Sequence, residues 1–392
     1  MMEEVNTPFY LIDEAVLFSN IESFRNALKA IWPNSIIAYS VKTNSLPWVL
    51  CWMKRHDVYA EVVSDEEFEL AKLAGFETSS IVFNGPVKTN EYLSLAFAGG
   101  AIVNLDSEND IHYFLQNKPN TIENIGIRIN VDPAIFEEND VGFVNDGFRF
   151  GFSDQNGELR RVIETIKGIN GNIPFGMHMH VNSVTRSLNV YKALAGYCAE
   201  IIKKYHLKLS YIDIGGGFFG GVPGKPSPAE YIGIIKSELS RVVDPAQTKL
   251  IVEPGSAAIG SAVELHTSVI DVKDTGIARI VTTDGSRIYI DPLWKKTKYE
   301  YMTTARKAII SRQIICGYTC MDHDRIMTIE NEPELSTGNR IVYKKVGNYT
   351  VTFAGPFIKP FPAVYVKEAD SINLVRKHMT MQDYYRMESI DL

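Results

Sequence analysis

Residues 58–75 read VYAEVVSDEEFELAKLAG, and the local pattern changes at Ser64 from that of a strand to that of a helix. Val58–Val62 is a short apolar run of residue types that favour strands. The residues after Ser64 read as a helix, because Ser64 is a typical N-cap and Gly75 is typical of the position just after a helix. The stretch therefore predicts one strand followed by one helix over residues 65–74.

Similar apolar runs recur along the first two thirds of the chain, with helical patterns between them. In chain order they are Ile36–Tyr39, Val58–Val62, Ile81–Phe83, Ala101–Leu105, Ile125–Val131, Gly176–Val181, Tyr211–Ile214 and Leu250–Val252. Eight strands that alternate with helices can close a parallel barrel. The sequence therefore predicts an α/β fold with a TIM-like (β/α)8 barrel.

The pattern changes again near residue 264, where turns rich in Gly, Asp, Asn and Pro separate the strand-like runs. These runs are Glu264–Val272, Ala278–Thr282, Arg287–Ile290, Arg325–Thr328, Arg340–Tyr343 and Ala363–Val366. They predict a C-terminal all-β domain. We expect the barrel to cover residues 21–263 and the β domain residues 264–392, with residues 1–20 joining the β domain.

Composition excludes several classes of protein. The chain has 392 residues, of which 45% are hydrophobic and 22% are charged, as in ordinary globular domains. Its formal net charge of -7 gives no positive field for nucleic acid. No apolar leader or membrane-spanning run is present, and four scattered cysteines make neither a disulfide framework nor a zinc site. We expect a cytoplasmic protein without a nucleic-acid or membrane partner.

Polar residues and glycines follow the predicted barrel strands directly. They include Lys42, Asn44, Glu61, Asn84, Asp106, Asn130, His180, Gly215 and Glu253. In a (β/α)8 barrel the carboxyl ends of the strands form the edge that carries active sites. We therefore expect the active site at this edge.

Three of these positions point to particular chemistry. Lys42 ends a predicted buried strand, where burial would lower its pKa and make it a good former of Schiff bases, although most lysines are simply solvated. Gly215-Gly216-Gly217 could cradle a phosphate with bare backbone N–H groups, or form a tight turn. Glu253 could keep a proton on a buried heterocyclic nitrogen, or pair with a neighbouring cation.

Two further features leave alternatives open. His178 and His180 share one face of a strand, which also suits the zinc site of a barrel hydrolase, although no further histidine cluster is present. Cys320 is by default a structural thiol, and the acidic residues near it favour a proton donor over a thiolate nucleophile.

Taken in order, these motifs resemble the fold-type III pyridoxal-phosphate decarboxylases, the family of ornithine and diaminopimelate decarboxylases. The resemblance spans essentially the whole chain and implies an alanine-racemase-like barrel with pyridoxal 5′-phosphate as cofactor and no metal. Tyr39–Asn44 is similar to the family's YxxKxN segment, which implies that Lys42 carries the cofactor. The other cofactor-binding residues implied by the resemblance are Glu61, His180, Ser183, Gly215, Gly216, Gly217, Glu253 and Gly255.

The resemblance continues into the second domain. Cys320 and Asp324 match a Cys-x-x-x-Asp segment that the family supplies to the active site of the partner subunit, which implies a homodimer with shared active sites. Cys320 would then be a catalytic proton donor beside Lys42 and Glu253. Tyr349 would contact the phosphate or the substrate, and Asp324 and Asp291 would contact the amino-acid substrate.

The substrate is where this chain departs from the family pattern. Ser256, Asp291 and Met321 replace two arginines and an acid at the positions that match the substrate-binding residues of diaminopimelate decarboxylases. We expect an amino acid other than diaminopimelate, such as a carboxynorspermidine-like polyamine precursor or a siderophore or secondary-metabolite precursor. The alternatives are a pyridoxal-phosphate-dependent racemase and a catalytically silent regulatory homologue.

Overall fold

Residues 5–117, 119, 121–170, 173–353 and 355–388 are described by a computed structural model, and their contacts separate two units. The first unit is Asn20–Ala258. The second combines the described chain up to Ser19 with the described chain from Ile259 onward.

Strands and helices alternate through the described chain up to residue 259, except that no α-helix separates the strand that ends at Asn130 from the strand that begins at Phe152. The strands are β1 (Phe9–Asp13), β2 (Ser35–Ser40), β3 (Tyr59–Val62), β4 (Ile81–Phe83), β5 (Ile102–Leu105), β6 (Ile125–Asn130), β7 (Phe152–Ser153), β8 (Phe175–His178), β9 (Leu209–Asp213) and β10 (Lys249–Val252). The helices are α1 (Glu14–Ile31), α2 (Pro47–Arg55), α3 (Asp65–Leu73), α4 (Asn90–Gly99), α5 (Glu108–Gln116), α6 (Glu158–Asn170), α7 (Leu188–Tyr205), α8 (Pro228–Leu239) and α9 (Ser256–Ile259).

Eight of these strands, within the described residues, close into a parallel barrel in the order β2, β3, β4, β5, β6, β8, β9 and β10. β10 pairs with β2 and β5 pairs with β6, so the sheet has no free edge there. Each of the eight predicted runs overlaps one of these strands, and the predicted barrel is confirmed. The barrel matters for function because it brings the carboxyl ends of its strands together at one edge.

Local chemistry explains the strand-to-helix turn at Ser64. The Ser64 hydroxyl accepts a hydrogen bond from the Glu67 backbone N–H at 3.2 Å, and α3 begins at Asp65 as predicted. Three acidic residues, Asp65–Glu67, occupy its first turn, where the helix dipole favours negative charge.

The barrel interior is filled by a mixture of small and large side chains. Tyr211 on β9 is 2% exposed and packs with Ile36, Ala38 and Val82. Gly176 on β8 provides its space, since a Cβ atom there would lie 1.9 Å from the Tyr211 ring. The part of the core around Tyr211 therefore depends on one aromatic side chain that ends in a hydroxyl group.

The second unit is built on a sheet of mostly antiparallel strands. Beyond residue 259 its strands are β11 (Val263–Asp274), β12 (Arg279–Thr283), β13 (Tyr301–Thr303), β14 (Ile309–Cys316), β15 (Arg325–Pro333), β16 (Arg340–Tyr343), β17 (Ala363–Glu368) and β18 (Ser371–Arg376). Helices α10 (Thr350–Phe353) and α11 (Met381–Glu388) accompany them. β1 lies between β11 and β17, antiparallel to β11 and parallel to β17.

One predicted strand of this unit is wrong. Residues 287–289 form a 3-10 turn in place of the strand expected over Arg287–Ile290. The Ser286 hydroxyl accepts from the Ile288 N–H at 3.4 Å, and the Asp324 carboxylate accepts from the Arg287 N–H at 2.9 Å. These side-chain acceptors take the backbone donors that a strand would offer to a neighbouring strand.

Helices that could cross a membrane are not found in the described part of the chain, since none is both long and apolar enough. The cellular location stays a prediction.

Candidate active site

Lys42 lies in the short turn Val41–Thr43 directly after β2. Its ammonium group donates to Glu61 at the end of β3 and forms an ion pair with it. The Lys42 side chain is 39% exposed, whereas that of Glu61 is 1% exposed. The lysine can therefore be reached by a small molecule while its carboxylate partner is held in the protein.

The charge state of Lys42 differs from the sequence-based expectation. Desolvation pulls its pKa down, but the carboxyl groups of Glu61 and Glu253 outweigh it, so the pKa lies above the usual value for lysine. Conversely, burial raises the pKa of Glu61, but Lys42 outweighs that effect and the pKa lies below its usual value. The expected fall in the pKa of Lys42 is wrong for the protein without a bound molecule.

Asn84 follows β4 and joins two acidic side chains of the site. Its amide nitrogen donates to Glu61 Oε1 at 3.1 Å and to Glu253 Oε1 at 2.6 Å. Its oxygen accepts from Asn104 Nδ2 at 2.8 Å. Lys42 and Glu253, which are far apart in sequence, therefore belong to one chain of hydrogen bonds.

Asp213, the last residue of β9, lies beside Glu253. Its carboxylate accepts from the Gly215 N–H at 3.0 Å and from Asn104 Nδ2 at 3.1 Å. Burial raises the pKa of Asp213 to about 7. Burial, Asp213 and Glu61 together raise the pKa of Glu253 well above its usual range. The pair therefore binds a proton at pH values where exposed carboxyl groups are ionised.

Two histidines at the end of β8 are kept neutral. Burial, followed by the positive charge of Arg128, lowers the pKa of His178 well below its usual value and that of His180 to about 3. Both ring nitrogens of the buried His178 are without a hydrogen-bond partner in the described structure. One of them lies within 4.8 Å of carboxylate oxygens of both Asp213 and Glu253. His178 is therefore grouped with Asp213 and Glu253. The zinc alternative was based on a different pair, His178 and His180.

The glycines after β9 allow a close approach of backbone and side chains. A Cβ atom on Gly216 would lie 2.3 Å from the Glu253 carbonyl oxygen, and one on Gly215 would lie 2.5 Å from the His180 ring. The Tyr191 hydroxyl donates to the Gly216 carbonyl at 2.9 Å. Larger residues at these positions would push the chain away from Glu253 and His180.

The remaining predicted cofactor residues of this unit are Ser183 and Gly255. The Ser183 hydroxyl donates to the Asp140 carbonyl at 3.2 Å and accepts from the Arg186 N–H at 2.8 Å, so it holds its own loop together. Gly255 packs against the turn of Lys42, since a Cβ atom there would lie 2.1 Å from the Thr43 hydroxyl. Their roles toward a cofactor stay predictions.

Comparison with known proteins identifies the family. The sequence model described as "Pyridoxal-dependent decarboxylase, pyridoxal binding domain" matches residues 17–260, which include the Lys42 centre and the glycines after β9. The chain belongs to this family. It is therefore a pyridoxal-phosphate-dependent amino-acid decarboxylase, and the predicted cofactor and enzyme class are confirmed.

Relatives of this decarboxylase align along nearly its whole length. A rice protein (Oryza sativa subsp. japonica) named "Probable diaminopimelate decarboxylase, chloroplastic" is 27% identical over 97% of this chain and 79% of its own. The diaminopimelate decarboxylase of Archaeoglobus fulgidus is 24% identical over 98% of this chain and 93% of its own. The fold is similar to that of the M. jannaschii diaminopimelate decarboxylase in complex with L-lysine, with a TM-score of 0.85, 20% identity and coverage of 99% and 93%.

The residues of the decarboxylase site fit pyridoxal 5′-phosphate. Lys42 offers a reachable amine, and Glu253 offers a buried proton-binding acid. His180 offers a neutral aromatic ring, and the glycines after β9 leave room for a group close to the backbone. The ring nitrogens of His178, which have no hydrogen-bond partner in the described structure, can bond to a polar group at the same edge of the barrel.

Cys320, Asp324, Asp291 and Tyr349 lie in the second unit of the decarboxylase. Cys320 is an exposed free thiol. The Asp324 carboxylate is buried and accepts from the Ser286 hydroxyl, the Arg287 N–H and the Thr319 hydroxyl. These bonds use its acceptor capacity within its own unit, and a role in substrate binding stays a prediction.

Asp291 and Tyr349 are also held by their own unit. The Asp291 carboxylate accepts from the Lys296 N–H at 2.7 Å and from the Tyr299 hydroxyl at 3.2 Å. Tyr349 has a φ of +64° and packs edge-on against Phe353. Their contacts with substrate or phosphate stay predictions.

Four further residues tie the decarboxylase site together: Asn84, Asn104, Asp213 and Tyr211. Sequence reasoning placed Asn84 at the active-site edge without a role and missed the other three. The Tyr211 hydroxyl donates to Asn104 Oδ1 at 2.8 Å and so completes the network behind Asn84 and Asp213. The available signal was the position of Asn84 directly after a predicted barrel strand. The other three lie within strands, where a polar side chain has to find a partner to be buried.

Proposed function

We propose that the protein removes the α-carboxyl group of an amino acid at the centre formed by Lys42, Glu61 and Glu253. The observation that supports this assignment is the continuous set of buried hydrogen bonds from the Lys42 ammonium through Glu61 and Asn84 to Glu253. It joins a reachable amine to a proton-binding acid. When bound, pyridoxal 5′-phosphate supplies an electron sink for the electron pair released as CO2 leaves.

Lys42 is the residue that would hold the cofactor, through its Nζ atom. In the protein without a bound molecule this atom is protonated, so a proton has to leave before a covalent bond can form. Glu61 stays ionised beside it and keeps the side chain in place.

Glu253 would hold a proton at the cofactor ring nitrogen. Its raised pKa means that the carboxyl group keeps a proton more readily than an exposed glutamate, and that proton is available to a basic nitrogen that enters the site. Asp213 and Asn84 support it from two sides. His180 would contribute a neutral ring that packs on a heterocycle without adding positive charge. Because the Gly215 N–H already donates to Asp213, the backbone N–H groups of Gly216 and Gly217, with Ser183, would receive the phosphate.

We propose further that the active enzyme is a homodimer in which Cys320 and Tyr349 serve the site of the partner subunit, while Asp324 holds the turn before Cys320 through its bond to the Thr319 hydroxyl. The exposure of the Cys320 thiol supports this, because the other three cysteines are buried or partly buried. In that site Cys320 would be the acid that returns a proton to the substrate carbon after CO2 has left.

Diaminopimelate is the first candidate substrate. The curated relatives reported above are named for this acid, and the comparisons give no support to the expectation that it is excluded. The residues behind that expectation are Ser256, Asp291 and Met321. The Asp291 carboxylate is already bonded to Lys296 and Tyr299, so it is not an open contact for a substrate amine.

The deciding experiment is a CO2-release assay with a panel of amino acids. The panel comprises diaminopimelate, ornithine, arginine and carboxynorspermidine, each as the resolved isomers, with enzyme loaded with pyridoxal phosphate and with the Lys42→Ala variant as blank. Release from diaminopimelate at a kcat/KM at least tenfold above every other compound supports the first candidate. Preference for carboxynorspermidine supports the polyamine alternative. Deuterium exchange at the α-carbon without CO2 release indicates a racemase, and no reaction with any compound indicates a silent homologue.

A further inference from the structure

Asn84 occupies the position between the two glutamates of the decarboxylase site. Its side chain is buried, and both hydrogens of its amide group are used, one on Glu61 Oε1 and one on Glu253 Oε1. Glu61 comes from the end of β3, and Glu253 directly follows β10. One neutral side chain thus connects acids on two different strands of the barrel.

The orientation of the Asn84 amide is fixed by its other neighbour. Asn104 Nδ2 donates to Asn84 Oδ1 at 2.8 Å, and the Tyr211 hydroxyl donates to Asn104 Oδ1 at 2.8 Å. A reversed Asn84 amide would turn its oxygen toward two carboxyl oxygens and its NH2 group toward the Asn104 donor. Every polar atom of Asn84 has a partner in the observed orientation only.

We propose that Asn84 is a positioning residue, which ties the partner of Lys42 to the acid that faces the cofactor ring nitrogen. The assignment rests on the proposed roles of Lys42 and Glu253. A hydrogen-bond donor favours the charged form of a carboxyl group, so Asn84 eases ionisation of Glu61 and of Glu253 together. It also restrains the two carboxyl groups, so that neither can turn without losing a bond to the same amide.

The first test uses the protein without cofactor and two matched variants. Asn84→Leu keeps the branched shape and the number of side-chain heavy atoms and removes both donors. Asn130→Leu makes the same change at an asparagine that ends another barrel strand, β6, and donates to the backbone carbonyls of Phe148 and Phe150. Melting temperatures are measured by circular dichroism between about pH 3.5 and about pH 8, values chosen to span the ordinary range of carboxyl and histidine titration.

The two variants are expected to differ in how pH affects the loss of stability. Loss of the Asn84 donors disfavours the ionised carboxyl groups. The difference in melting temperature between the wild-type protein and Asn84→Leu should therefore grow as the pH rises. The difference for Asn130→Leu should stay constant, because backbone carbonyls do not titrate. The other titratable groups that face the two glutamates are present in both variants; they are Lys42, Glu67, Asp213, His178 and His180. If the loss of melting temperature depends on pH in the same way in both variants, Asn84 is merely structural.

The second test uses the protein loaded with pyridoxal phosphate and follows its visible absorbance band against pH. Asn84→Leu should move the pH midpoint of the change in this band upward by about one pH unit, which corresponds to a tenfold change in proton affinity. If Asn84 acts through Glu253, the same substitution in a Glu253→Gln background should produce less than half of that shift. Equal shifts in both backgrounds, or none in either, would overturn the proposal.

The two tests separate this proposal from the proposed function. If the wild-type protein takes up no cofactor on Lys42, the proposed function fails, and the measurement without cofactor still decides whether Asn84 couples the two glutamates. If the cofactor binds to Lys42 and Asn84→Leu changes neither pH dependence, only the role of Asn84 is wrong.

Discussion

The buried ion pair between Lys88 and Asp110 gives a prediction whose size follows from the structure. Lys88 Nζ lies 2.8 Å from Asp110 Oδ2, and both side chains are fully buried. At an effective dielectric constant of about 20, two unit charges at this distance attract by about 6 kcal/mol. Asp110→Asn keeps the shape and leaves the Lys88 ammonium without its counter-charge. We expect the free energy of unfolding to fall by about 3–5 kcal/mol.

The assay is urea unfolding of the protein without cofactor, followed by far-ultraviolet circular dichroism. The matched control is Asp154→Asn, which breaks the more exposed Lys204–Asp154 pair at 2.7 Å, whose side chains are 47% and 14% exposed. That variant should lose no more than about 1 kcal/mol, since water screens the pair. The double variant Lys88→Met/Asp110→Leu should lose less than Asp110→Asn, because no charge is left buried.

Two results would refute this reasoning. One is a loss in Asp110→Asn no larger than in Asp154→Asn, and the other is a double variant less stable than the single one. The pair also bears on the site, because Asp110 Oδ2 accepts from the Asp106 N–H at 2.9 Å and Asp106 pairs with Arg128 at 3.0 Å. Asp110→Asn should therefore also weaken binding of pyridoxal phosphate, measured by absorbance titration.

Lys42→Ala should abolish covalent cofactor binding and turnover; borohydride reduction and peptide mapping of the wild-type protein check this, and an adduct on another lysine would contradict it. Glu253→Gln should fold normally but lower kcat by at least about 100-fold, because an amide does not keep a proton on the ring nitrogen; a kcat near that of the wild type would place the acid elsewhere. The pKa of Asp213 is raised to about 7, so the folded protein holds this proton more tightly than the unfolded chain, and the resulting stability is lost as the pH rises from about 4 to about 7. Asp213→Asn should lack this part of the decline in melts at a series of pH values, and an unchanged decline would assign it to other groups. Mixing inactive Lys42→Ala with inactive Cys320→Ala should restore about one quarter of wild-type activity if subunits exchange at random and share sites. Mass spectrometry confirms the exchange. If activity does not return although the subunits have exchanged, Cys320 serves its own chain or none.

The barrel could be predicted because its signals are local. Each strand is a short apolar run, and each turn into a helix carries its own capping residues, as at Ser64. The polar residues at the strand ends then follow from the topology, which brings Lys42, Glu61 and Glu253 to one edge. The second unit was less predictable, because β1, β13, β14 and β18 were not recognised in the sequence. The partners of β1 and β13 are also distant in the chain, whereas β14 and β18 pair with neighbouring strands.

The hydrogen-bond network of the site could not be predicted in this way. Asn84 and Glu253 are 169 residues apart, and Asn104 and Asp213 are 109 residues apart. No local pattern specifies such pairs. The error on Lys42 has the same origin, since the sequence indicates that the lysine is desolvated but does not show that two carboxyl groups reverse the effect on its pKa.

The position of β1 between β11 and β17 has a consequence for synthesis of the chain. Asp13 on β1 and its partner Lys367 on β17 are 354 residues apart. At a translation rate of about 5–20 residues per second, roughly 20–70 s pass between them. Throughout that interval the segment FYLID leaves the ribosome without its parallel neighbour, as an open apolar edge that can pair with other nascent chains. Moving β1 behind β18 by circular permutation would let this sheet assemble in the order in which it is made.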